Sequence, residues 1–124
     1  MTRRVKLVLA ALHGLLLITF VLNAWMSDDS YITFRSVEQF IAGNGLRWNA
    51  FERVQAYTSV LWFFLLALVR LLITDIYYAA LVLSIACCAA TVWLMRKTIV
   101  NPIGYGTLLL ALLASPSVID YATS

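Results

Sequence analysis

Arg3, Arg4 and Lys6 introduce an apolar run over residues 5–25 in which, beyond Lys6, His13 is the only ionisable side chain. About 20 helical residues at 1.5 Å each reach roughly 30 Å, the depth of one bilayer core. That length exceeds the roughly 7–15 residues of a secretory h-region. The exit, Leu22-Asn23-Ala24-Trp25-Met26, offers no clean small-x-small cleavage site. The run therefore reads as an uncleaved signal anchor with its N-terminus in the cytoplasm and Trp25 at the far interface, where indole rings prefer to lie. Within it, His13 reads as a neutral imidazole bonded to a neighbouring helix.

The rest of the chain is equally apolar. Hydrophobic residues make up 63% and charged residues 12% of 124, and mean hydropathy is +0.90. A soluble domain this small leaves too much surface exposed to hide such a composition. An ordinary cytosolic domain, a disordered chain and a nucleic-acid binder are excluded, and the partner implied is the lipid bilayer. The expected class is an all-α integral membrane protein with four apolar helices, three or four of them crossing, plus an amphipathic juxtamembrane helix. The segments are a signal-anchor span over 5–25, an outer loop over 26–57, a short apolar helix over 58–73, and spans over 76–95 and 103–119. Asn101-Pro102 with Gly104-Tyr105-Gly106 reads as a turn, and Ser115-Pro116 as the exit of the last helix. Adjacent Cys87 and Cys88 read as small packing residues in the lipid phase.

Tyr31, Phe34, Val37 and Ile41 recur at spacings of three and four, the signature of one helix face. Asp28, Asp29 and Ser30 are candidate N-caps and Gly43 a natural C-terminal stop, which gives a surface helix of about 12 residues. Residues 47–57 read as an irregular loop. Asp75 is placed to cap the helix that follows it.

Charge placement bears on topology. If all four runs cross, Arg96 and Lys97 end outside, against the positive-inside tendency. If residues 58–73 dip without crossing, Arg96 and Lys97 return to the cytoplasm, and Asp28, Asp29, Asp75 and Asp120 all lie on the outer side. The second arrangement accounts for both basic clusters.

Asp28 and Asp29 follow the first span directly. Neighbouring carboxylates there can share a divalent cation through hard oxygen ligands. One of them can also act as general base on an attacking hydroxyl. Capping of a helix N-terminus is the simpler alternative.

Residues 28–62 read DDSYITFRSVEQFIAGNGLRWNAFERVQAYTSVLW. They resemble the first outer loop of bacterial polytopic glycosyltransferases of the GT-C type, among them mycobacterial cell-wall arabinofuranosyltransferases. Asp28, Asp29, Tyr31, Ile32, Phe34 and Arg35 match a first block of that pattern, and Gly43, Gly45 and Leu46 a second. Asn49, Glu52, Arg53, Val54, Tyr57, Thr58, Ser59, Leu61 and Trp62 match a third. Ala50-Phe51 stands where Pro-Gly is usual, and Gln55-Ala56 where Glu-Gly is common. The resemblance implies a multi-pass protein of the bacterial inner membrane with its active site on the outer face. It implies transfer of a sugar, hexosyl or pentosyl, from a polyprenyl-phosphate donor to an extracytoplasmic glycan or protein acceptor. Asp28 or Asp29 would be the catalytic base, with Mg, Mn or Ca held by the same pair. Arg35, Glu52, Arg53 and Tyr57 would contact donor phosphate or substrate, with Trp62 as a second stacking aromatic. It also implies a longer protein, of which this chain would be an amino-terminal fragment, inactive alone. A small non-catalytic scaffold and a transporter fragment are the rival expectations.

Overall fold

The computed structural model describes residues 2–49, 51, 54 and 57–122. Among them the chain is all-helical: α1 (Arg3–Leu22), α2 (Asp28–Ile41), α3 (Val60–Arg70), α4 (Ile76–Thr98), α5 (Pro102–Leu113) and α6 (Pro116–Tyr121). Helices α1 and α4, of 20 and 23 residues, are long and apolar enough to cross a membrane. Helices α3 and α5 are shorter apolar helices.

Local chemistry sets most boundaries. Ser59 accepts a hydrogen bond from the Trp62 amide at the start of α3. Asp75 accepts from the Tyr77 amide at 2.8 Å, so it caps α4 as its position suggests. Asn101 accepts from the Ile103 amide with Pro102 in the first turn of α5. Ser115 does the same for Val118 ahead of Pro116 in α6. Proline is tolerated at these points because the first helical amides have no intrahelical acceptor.

Two sequence expectations change here. The 103–119 run is two helices, broken at Ala114 and Ser115. Gly104-Tyr105-Gly106 lies inside α5 rather than in a turn, because Asn101-Pro102 starts the helix immediately before it. Gly106 instead admits a neighbour: a Cβ there would stand 3.4 Å from Leu9 Cδ2. Small residues of this kind let membrane helices approach closely.

The chain divides into two compact units. Unit 1 comprises Met1–Trp25 and Ser84–Ser124. Leu9, Leu16, Phe20, Val92, Tyr105 and Leu109 form its core, and α5 packs against both α1 and α6. His13 Nδ1 and the Tyr105 hydroxyl share a hydrogen bond of 2.9 Å, the neighbour-helix partner expected for that imidazole. Trp25 Nε1 donates to the Asp120 carbonyl at 2.7 Å. Thus α5 begins beside the first half of α1 and α6 ends beside its exit. Helix α1 stops at Leu22, three residues short of the run's end at Trp25, with Asn23 as C-cap. Cys87 and Cys88 are free thiols, and Cys88 Sγ donates to the Ala122 carbonyl.

Unit 2 is Met26–Leu83. Its core gathers Met26, Phe34, Val37, Phe63, Leu66, Ala67, Ala79, Ala80 and Leu83. Phe34 and Val37, from the expected apolar face of α2, are buried and Ile41 packs beside them; Tyr31 is exposed. Helix α2 packs on α3, and Phe40 meets both Phe63 and Phe64 edge-on at 5.7 Å. The end of α2 is a Schellman motif. The Gly43 amide donates to the Phe40 carbonyl and the Asn44 amide to the Gln39 carbonyl, with Gly43 at φ 81°.

Candidate functional site

Helix α2 carries the carboxylate pair in its first turn. Ser27, in extended conformation at φ −70° and ψ 159°, is the N-cap residue, so Asp28 and Asp29 are the first two helical positions. Neither carboxylate caps the helix: the α2 N-terminus has no side-chain cap hydrogen bond. Both are exposed, and among the described residues neither has a hydrogen bond or an ion pair. The macrodipole of α2 favours their negative charge at this end. Their oxygens remain available to an external proton, hydroxyl or cation.

Asp28, Tyr31 and Arg35 follow at helical intervals along one exposed strip of α2 that borders the buried Phe34, whose ring lies 5.3 Å from that of Tyr31. Seven residues separate the aspartate from the arginine, about 10 Å along the axis. Arg35 is committed to the loop beyond α2. Its Nη2 donates to Asn49 Oδ1 at 2.6 Å, its Nε to the Trp48 carbonyl at 3.3 Å, and its guanidinium lies 5.0 Å from the centre of the Trp48 ring. It therefore fastens the loop to the strip bearing Asp28, leaving Nη1 for other contacts. The Trp48 amide in turn donates to the Val54 carbonyl.

Tyr57 is half-buried, its ring 4.5 Å from that of Phe63, and it packs with Trp62 against the core of unit 2. These two aromatics anchor the return of the loop into α3. Glu52 and Arg53 lie outside the described residues, as do Ala50, Gln55 and Ala56.

One charge pair escaped the sequence reading. Arg70, at the end of α3, donates through Nε to Glu38 Oε1 at 2.6 Å and through Nη2 to Oε2 at 3.3 Å. The available signal was Arg70 itself, since a cation in an apolar run calls for a partner. Glu38 stands off the apolar face of α2, and the fork joins α2 to α3 behind the strip.

For a metal, the protein donors here are the two carboxylates. Among the described residues no group of three His, Cys, Asp or Glu side chains is positioned to hold an ion. Carboxylate oxygens are hard donors of the type that Mg, Mn or Ca takes.

The arrangement defines a class: a helical membrane segment that presents an unpaired acidic couple on a surface helix directly after its first membrane-length helix. The chain resembles cell-wall arabinofuranosyltransferases over part of its length. It is 51% identical over 51 residues to a terminal beta-(1->2)-arabinofuranosyltransferase of Corynebacterium glutamicum, covering 41% of this chain and 7% of that protein. It is 48% identical over 42 residues to a protein of the same name from Mycobacterium tuberculosis, covering 34% of this chain and 7% of the relative. The chain thus matches only a small fraction of the length of these curated relatives. No protein-family model and no solved structure matches it.

Proposed function

We propose that this chain forms the first membrane segment of a glycosyltransferase of the GT-C type that moves a pentosyl group, in the arabinofuranosyl class, from a polyprenyl-phosphate donor to an extracytoplasmic glycan. The observation that carries this reading is the free Asp28–Asp29 pair at the head of α2, in a chain half identical over 51 residues to an arabinofuranosyltransferase.

The chemistry follows from the position of the pair. The donor's prenyl tail stays in hydrocarbon and its phosphate lies at the interface, level with a helix that follows the first span. An acceptor hydroxyl arrives from water and attacks the anomeric carbon. The new C–O bond forms as the bond to phosphate oxygen breaks, with inversion, and polyprenyl phosphate leaves with the electron pair. Asp28 or Asp29 takes the hydroxyl proton. A divalent cation held by the other oxygens would neutralise the departing phosphate. Arg35 holds the loop at the strip and contributes its remaining donor to phosphate. Glu52, Arg53 and Tyr57 complete the substrate contacts in this reading, Tyr57 by fixing the loop.

Topology supports the outer-face assignment. Lys6 of α1 and Arg96 of α4 line one cavity within unit 1, so both basic clusters lie at one end of that unit. The positive-inside tendency puts that end in the cytoplasm. Helix α1 then runs outward and α4 returns. Helix α3, with 11 residues and about 16 Å of length, stays in the outer leaflet. Helices α5 and α6 together follow α1 across.

The test is sugar transfer in membranes from cells whose chromosomal gene carries Asp28→Asn or Asp29→Asn. Loss of the base is expected to lower the rate by about 10²–10⁴-fold in one variant while membrane insertion is retained. Transfer at wild-type rate by both variants would refute the assignment.

A further inference from the structure

Beyond the outer-face site, unit 1 contains a cavity of about 470 Å³ lined by Lys6, Ala10, His13 and Gly14 of α1, Arg96 of α4 and Tyr105 of α5. Its two cations are unsatisfied: among the described residues, neither the Lys6 ammonium nor the Arg96 guanidinium has a hydrogen bond or ion pair. Arg96 instead lies 5.4 Å from the centre of the Tyr105 ring, whose hydroxyl is tied to His13. Within this unit Arg3, Arg4, Lys6, Arg96 and Lys97 are matched by one carboxylate side chain, Asp120. That residue lies at the opposite end, beside Trp25. Nothing near the cavity neutralises it.

Lys6 is exposed and Arg96 half-buried at this recess, so both cations can turn to an anion that enters it. The recess has room for one. A Cβ at Gly14 would meet nothing within 4 Å, so this glycine leaves the cavity wall open. The same stripe of α1 continues through Leu17 and the exposed Val21, an apolar track leading away from the cations.

We infer that this cavity binds the phosphate headgroup of an anionic phospholipid from the leaflet facing the basic end of unit 1. Lys6 and Arg96 take the phosphate oxygens, the guanidinium through paired N–H donors. The Tyr105 hydroxyl, held by His13, offers a further hydrogen bond. An acyl chain runs past Gly14 toward Val21. The apolar track argues for a lipid over a free phosphate, which would gain nothing from it. Anionic lipids are enriched at cytoplasmic surfaces, where basic juxtamembrane residues meet them.

The test is native mass spectrometry of the chain in detergent, titrated with phosphatidylglycerol or phosphatidylcholine, with inorganic phosphate as competitor. Wild type is expected to retain phosphatidylglycerol at least tenfold over phosphatidylcholine, unmoved by phosphate. Lys6→Gln with Arg96→Gln should abolish the preference. Gly14→Leu, which fills the recess without changing charge, should lower it as strongly. Arg3→Gln with Arg4→Gln makes the same charge change outside the cavity and should leave it intact. Equal loss in that control, or wild-type selectivity in the cavity variants, would overturn the inference. Displacement of phosphatidylglycerol by inorganic phosphate would overturn the lipid assignment in favour of a soluble anion. Circular dichroism on each variant and carbonate extraction of its membranes separate a lost site from a lost fold or a lost span.

Discussion

Gly43 holds the backbone at φ 81° to end α2, in the left-handed region where a β-carbon crowds the chain. Gly43→Ala should therefore cost about 1 kcal/mol, read as a lower melting temperature in detergent, although the space around that Cβ is open. The strain lies in the dihedral and not in a clash. This residue was legible in the sequence because a Schellman cap is local: Gly43 follows the apolar face, and Gln39 and Phe40 supply the acceptors. Asp75 was legible for the same reason. Asp28 and Asp29 were legible as an acidic couple but not as to role, since a carboxylate at a helix start can cap it or stay free, as both do here. Arg35 shows the limit most clearly. Its partners Trp48 and Asn49 lie more than ten residues away in a loop without periodicity, and no spacing rule finds them. Asn49→Ala should loosen that loop and lower transfer while α2 keeps its helicity, as measured by activity alongside circular dichroism.

At the scale of elements, the fork between Glu38 and Arg70 ties α2 to α3. Glu38 is 42% exposed and Arg70 22%, so water weakens the pair. A double-mutant cycle with Glu38→Gln and Arg70→Met should give a coupling of about 1 kcal/mol in thermal unfolding. The coupling should shrink as salt is raised, since exposed charges are screened. The existence of α1, α2, α3 and α4 was readable from apolar period and length. Helix α5 starts within one residue of the expected span, but Gly104-Tyr105-Gly106 inside it was read as a turn because Asn-Pro and two glycines carry turn chemistry as well. The same Asn-Pro that can close a turn opens a helix here, with Asn101 accepting from the Ile103 amide. The break between α5 and α6 has the opposite character: Ser115-Pro116 announced a boundary, and the sequence left open only what followed.

For the whole molecule, the two arrangements of basic clusters make opposite predictions about sidedness. In a background with Cys87 and Cys88 replaced by serine, Asp75→Cys should react with an impermeant maleimide added outside. Lys97→Cys should react only after the membrane is opened. The inverse pattern, with Lys97→Cys labelled from outside and Asp75→Cys only after opening, would mean that α3 crosses. The sequence over-counted the membrane-length helices: three or four crossings were expected, and among the described residues two helices have the length, because the 103–119 run is broken at Ala114 and Ser115. Sidedness could not be read from it, because it turned on whether an 11-residue helix spans.

The hydrogen bond from the Trp25 indole to the Asp120 carbonyl joins residues 95 positions apart. Unit 1 is assembled from both flanks of the intervening Met26–Leu83 segment. During synthesis the first helix must enter the bilayer long before its partners α5 and α6 leave the ribosome. Until then, the mouth of that helix is unfastened while the acidic couple three residues further on already sits on a unit able to complete its own core. Maturation therefore has an order: α2 is built early, and the bond between Trp25 and Asp120 closes last.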